Sequence, residues 1–212
     1  MTLSKDNWRL QANTWIEIGY SCVNTPLLPK YQYHILDRCF RGASDIISCE
    51  TTAVNSNTAS LIQWCRQWSA EAVFIYNQVA ADMTIARNGK PPTHRQVCDA
   101  RDSNGKRWFT AEHEFPLTIV KKGVRDHAWT LEQARLWLWD YSVVTIVTQA
   151  ENKRLLPWTD DMDTAASRYA DAKIVKQIHP RYGDADESNR LPRVQTRQEE
   201  HQELQEGQDH AA

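Results

Sequence analysis

The sequence predicts an α+β protein that is predominantly helical, with several packed helices and a small antiparallel sheet. Apolar residues recur at helical spacing through most of the first 90 residues. Asn104-Gly105 lies between two segments that can pair, which is typical of a tight hairpin. Residues 142–148 are rich in β-branched side chains, as strands are. We therefore expect a sheet made of a hairpin over residues 97–112 and a strand over residues 142–148.

The helices are predicted from their apolar stripes and end signals. A first helix is capped by Asp6, and the longest is expected to end at Asn88-Gly89. Thr130 and Gln133 form a capping box, which marks the start of a later helix. After the first helix, the predicted helices cover residues 31–41, 57–87, 130–140 and 159–172.

These elements predict one globular domain over residues 1–178, helical in 1–90 and mixed in 91–178. From residue 179 the chain loses apolar periodicity and becomes acidic, so we expect a disordered tail over 179–212. Five irregularly spaced cysteines and the lack of a signal-like leader favour a reducing compartment, and we expect a soluble cytoplasmic protein. No apolar run approaches the ~20 residues that a membrane span needs.

The hairpin carries candidate metal ligands. A two-residue turn at Asn104-Gly105 would place Asp99 and Glu112 on one face as diagonal neighbours, roughly 7–8 Å apart. Two carboxylates at that separation can close around a divalent cation. Asp99 and Glu112 are therefore the predicted metal ligands.

The segment from Glu112 to Pro116 also suggests chemistry. An acid-His pair followed by an apolar residue and proline at the end of a hairpin resembles the motif of the ββα-metal (HNH) nucleases. The resemblance implies that Glu112 binds a divalent cation and that His113 activates the attacking water. The alternative interpretation is that both are polar residues where a strand leaves the core.

Positive charge is concentrated in the middle of the chain. Residues 87–125 contain nine basic and four acidic side chains, although the whole chain has a net charge of −2. A basic segment can contact an anion such as a nucleic-acid backbone, but it can also be a solvated face or match the acidic tail. The candidate anion contacts are Arg101, Lys106, Arg107, Lys121 and Lys122.

The nine tryptophans favour large apolar contacts within the chain or with a partner. Trp139 lies on a helix that is apolar nearly all round, so it either packs inside the domain or contacts a partner. Two functions remain compatible with the sequence. The first is binding of a macromolecular partner, as an inhibitor or assembly factor, with homodimer formation included. The alternative is a metal-dependent nucleic-acid phosphodiesterase.

Overall fold

The computed structural model describes residues 7–54, 58–155, 157 and 162–182, and confirms a predominantly helical α+β fold. The helices are α1 (Asn7–Ser21), α2 (Pro29–Cys49), α3 (Thr58–Trp64), α4 (Ala70–Ala86), α5 (His94–Cys98), α6 (Thr118–Asp126), α7 (Leu131–Tyr141), α8 (Gln149–Arg154) and α9 (Met162–Asp171). The strands are β1 (Gln67–Ser69), β2 (Phe109–His113), β3 (Val144–Thr148) and β4 (Lys176–Ile178). The part up to His179 forms one compact unit, and Pro180–Tyr182, a short 3-10 turn, belongs to a second. Most of the predicted tail lies outside the described residues.

The four strands form one sheet in the order β2-β3-β1-β4. β3 pairs antiparallel with β2 and parallel with β1, whereas β1 pairs antiparallel with β4. The strand predicted over residues 142–148 is therefore present as β3. The sheet is mixed rather than purely antiparallel because β1, one of its two interior strands, runs parallel to β3.

The hairpin predicted over residues 97–112 is wrong. Its first arm begins inside α5, and β2 pairs instead with β3, where Glu112 lies opposite Thr145. Near the turn, a single bridge joins Arg101 to Arg107, which shifts the predicted register by one residue. Asp102 explains the shift, because its Oδ1 accepts hydrogen bonds from the backbone N–H groups of residues 104 and 106 at 2.9 and 2.8 Å.

The long helix predicted over residues 57–87 is also wrong, because β1 divides it into α3 and α4. Trp68 has no exposed surface and occupies the middle of β1, between two neighbouring strands. Ser69 then starts α4 as its N-cap, with its Oγ accepting a 2.9 Å hydrogen bond from the N–H of Ala72. The predicted helical part, 1–90, thus supplies a central strand of the sheet.

The sheet has a buried cluster on each face. Phe109, Val144 and Ile146 belong to the larger cluster, which continues into α1 and α2. These two helices approach closely at Gly19, where an added Cβ would lie 2.8 Å from the Cβ of Cys39. The smaller cluster consists of Val147, Leu155, Tyr169, Ala172 and Ile174.

Among the described residues, no helix is long and apolar enough to cross a bilayer. The five cysteines are all buried thiols without a disulfide.

Candidate functional site

Glu112 and His113 point to opposite faces of the sheet. They are consecutive residues of β2, and side chains alternate between the two faces along a strand. Glu112 contacts Arg168 of α9, whereas His113 contacts Ser44 of α2. The structure therefore does not bring the predicted metal ligand and the predicted base together.

The Glu112 side chain belongs to a polar cluster between the sheet and α9. Nη2 of Arg168 donates to Oε1 of Glu112 over 3.0 Å, and the Arg168 side chain is almost completely buried. Burial raises the pKa of Glu112, and the hydrogen bond from Arg168 and its positive charge act in the opposite direction. This carboxylate is thus held by a cation of its own chain.

Glu114 extends the same cluster beyond the end of β2. Its Oε1 accepts a 2.6 Å hydrogen bond from the hydroxyl of Thr145, and its Oε2 accepts a 2.8 Å bond from Nζ of Lys176. Burial and the carboxylates of Glu114 and Glu112 raise the pKa of the nearby Tyr169. Glu112 and Glu114 thus both accept hydrogen bonds from groups of the same chain.

His113 lies in a second polar group on the other face. Its Nδ1 is 3.4 Å from Oγ of Ser44, and its Nε2 is 3.5 Å from Oδ1 of Asp45. Burial lowers the pKa of His113 to about 4, and the charge of Arg41 acts in the same direction, whereas Asp37 opposes both. The imidazole is therefore neutral at pH 7.

The combination of Ser44, His113 and Asp45 has the composition of an acyl-transfer triad. However, Ser44 and Asp45 have no exposed surface. A substrate cannot reach a hydroxyl that is fully covered, so the arrangement does not support Ser44 as a nucleophile. The accessible part of this group is His113, which lines a cavity.

Asp99, the other predicted metal ligand, is the C-cap of α5. Its carboxylate lies 3.7 Å from Nε of Arg95 and 4.0 Å from Nη2 of Arg107. Asp99 and Glu112 are thus each paired with arginine. Within the described ranges, no group of three or more His, Cys, Asp or Glu side chains is placed to hold a metal ion.

The predicted anion contacts fall into two classes. Arg101, Lys106 and Lys122 are exposed, and Arg107 is half-buried. Lys121 differs because it is buried, with its Nζ 2.6 Å from Oδ1 of Asp37. It is therefore not placed to contact an extended polyanion at the surface.

Trp139, the predicted partner contact, packs inside the domain. Its ring centre is 5.7 Å from that of Trp8, and its Nε1 donates a 3.0 Å hydrogen bond to Oδ1 of Asn13. Trp8 and Asn13 are both in α1. Trp139 is half-buried and connects α7 to α1, which corresponds to the alternative of packing within the domain.

Two highly exposed apolar side chains that the sequence interpretation missed lie on one side of α4. Phe74 and Ile85 are 60% and 76% exposed, and their spacing of 11 residues puts them on the same side of the helix. The neighbouring exposed side chains are Asn77, Gln78, Ala81 and Asp82. We refer to these six residues as the outer face of α4. The sequence signal for this face was Phe74, an aromatic residue that lies outside the apolar stripe of the helix predicted over residues 57–87.

Comparison with family models, curated proteins and solved structures finds no match to this chain. Its function is therefore argued from the geometry.

Proposed function

We propose that the protein binds a macromolecular partner through the outer face of α4, and that this partner is a second copy of the same chain. The observation that carries the proposal is the exposure of Phe74 and Ile85 on a face whose one charged residue is Asp82. Contiguous exposed apolar patches are typical of protein interaction sites. Phe74 and Ile85 are separated along one copy of the helix, but an antiparallel pair of copies would bring each Phe74 into contact with an Ile85.

The outer face of α4 is complementary to itself. Two copies packed antiparallel about a two-fold axis between residues 79 and 80 would place Phe74 of each copy against Ile85 of the other. These two contacts lie about 16 Å apart along the helix, and Gln78 would oppose Ala81 between them. Asp82 would oppose Asn77, whose amide can donate to a carboxylate. No like charges meet, so this face adds no charge repulsion, and the cost that remains is the partial desolvation of each Asp82 carboxylate.

The phosphodiesterase alternative has less support. It needs the acid and the histidine at one cation, and Glu112 and His113 point to opposite faces of the sheet. We also propose a reducing, cytoplasmic location, which the five buried thiols support.

Sedimentation velocity of the full chain tests the proposal over about 1 to 200 µM, a range that covers ordinary weak to moderate dimers. We expect the wild type to dimerise and a Phe74→Ser/Ile85→Ser variant to remain monomeric. Both positions are exposed in the monomer, so the variant should keep the far-UV circular dichroism of the wild type. Leu10→Ser is the matched control, because Leu10 is 65% exposed on α1. It should dimerise like the wild type.

Two outcomes contradict the proposal. If the wild type is monomeric at every concentration, its partner is not a second copy of the chain. A dimer that survives in the double variant uses a surface other than the outer face of α4.

A further inference from the structure

A cavity of about 150 Å³ lies between α2, the end of β2 and the start of α6. It is lined by Arg41, His113, Pro116, Leu117, Thr118 and Lys121. An apolar cavity of this volume can hold a ligand of roughly the size of benzene. The space therefore suits a small molecule or one functional group of a larger one.

The charged side chains at the cavity favour an anion. Arg41 and Lys121 contribute two positive charges, and Asp37 contributes one negative charge. Oδ1 of Asp37 lies 3.8 Å from Nη2 of Arg41 and 2.6 Å from Nζ of Lys121. An ammonium has three donors, and the contact with Asp37 uses one of those on Lys121. Because the Lys121 side chain is only 6% exposed, salt screens its charge weakly.

The start of α6 adds positive potential to the same wall. Thr118 is the first residue of this nine-residue helix, and the preceding Leu117 has no side chain that can cap it. The N-terminal end of a helix carries a partial positive charge. One N–H of this first turn, that of Ile119, already donates to the carbonyl of Pro116 over 3.0 Å. Phosphate groups bind at such ends. Thr118 also brings a hydroxyl to the wall of the cavity.

His113 also lines the cavity, but its Nε2 faces the buried carboxylate of Asp45. The residue is 8% exposed, and its Nε2 makes no hydrogen bond to any described residue, the nearest acceptor being Asp45 at 3.5 Å. Because this nitrogen is itself buried, a ligand in the cavity would contact other atoms of the His113 ring.

We propose that this cavity binds an oxyanion of phosphate size, either inorganic phosphate or the phosphoryl group of a small metabolite. Arg41 and Lys121 donate to its oxygens, with the arginine fork matching the geometry of a phosphate. The site lies away from α4, and the inference does not depend on dimer formation.

Thermal unfolding of the full chain in phosphate-free and sulfate-free buffer tests the proposal. Inorganic phosphate should raise the melting temperature in a saturable way, because a ligand of the folded state stabilises it by mass action. Sodium chloride at matched ionic strength should not. Glycerol phosphate identifies the source: stronger stabilisation than by inorganic phosphate assigns a phosphorylated metabolite, and weaker stabilisation assigns the free ion.

Arg41→Gln is the informative variant, since the Arg41 side chain is 43% exposed and its replacement should leave the fold intact. Loss of a charged hydrogen bond should weaken phosphate binding about tenfold. Arg38→Gln, an exposed position of the same helix, is the matched control and should bind like the wild type. In the wild type, bound phosphate should also shift the imidazole ¹⁵N resonances of His113.

The proposal is overturned by any of three results. These are the absence of a saturable shift with phosphate or glycerol phosphate, equal affinities of the Arg41→Gln and Arg38→Gln variants, and stabilisation by acetate that matches phosphate. The last result would assign the cavity to carboxylates.

Discussion

At the scale of single residues, His113 links the stability of the protein to pH. Its pKa is about 4 in the folded protein, against 6.5 for an ordinary histidine. As the pH falls from 6.5 to 4, the unfolded chain binds a proton at this ring and the folded chain does not. The free energy of unfolding should therefore fall across that window, by about 3 kcal/mol for this residue.

Chemical denaturation between pH 7 and pH 4 measures this loss. His113→Gln cannot titrate in the window, so its stability should fall by less than that of the wild type. The raised pKa of Glu112 acts with the opposite sign, because protonation of that carboxyl favours the folded state. Glu112 is present in both proteins, so its effect cancels in the comparison. Equal acid sensitivity of the two proteins would contradict the prediction.

The same two residues show what could be predicted about the site. Sequence alone identified Glu112 and His113 as unusual. In the structure His113 is buried and the Glu112 side chain is 12% exposed. Whether they could act together depended on where β2 ends. Because β2 includes His113, the alternation of the strand separates the two side chains. The partners Arg168 and Ser44 come from distant parts of the chain, so no local pattern could reveal them.

At the scale of elements, the contact of α6 with the segment that follows it depends on a glycine. A Cβ on Gly123 would lie 2.3 Å from Cδ2 of Trp129, so the indole ring occupies the place of a side chain. Gly123→Ala should lower the free energy of unfolding by about 1–3 kcal/mol, as overpacking does. Thermal or chemical unfolding measures the change.

Trp129→Ala removes the obstructing ring and provides the control for this clash. In that background, Gly123→Ala should stabilise the protein by about 0.5–1 kcal/mol, because alanine has the higher helix propensity. If the substitution has the same sign in both backgrounds, close packing of the ring is not the reason for the glycine.

Element boundaries were predictable where the signals were local. The capping box of Thr130 and Gln133 is present at the start of α7, with both hydrogen bonds formed. The helix predicted over residues 31–41 was given too early an end, because α2 continues to Cys49 with Gly42 buried inside it. The strand β1 was missed because its tryptophan continues a helical spacing, and its conformation depends on strands more than 70 residues away.

At the scale of the whole molecule, the sheet connects the two parts into which the sequence divides. β1 lies between β3 and β4, so residues from the predicted helical part are paired on both sides by residues from the mixed part. Trp68 strengthens this connection. Its ring centre lies 5.2 Å from that of Phe109 and 4.6 Å from that of His179. Long-range pairings of this kind leave no periodic signal in a single sequence.

A chain that ends at residue 90 should therefore not fold by itself. It retains β1 but lacks all the strands that pair with it, and the large apolar ring of Trp68 would lose its cover. We expect no cooperative urea transition for this fragment. The full chain should unfold in one step, with coincident far-UV circular dichroism and tryptophan fluorescence. A cooperative transition in the fragment, or separate transitions in the full chain, would show that the first 90 residues form an independent unit despite the shared sheet.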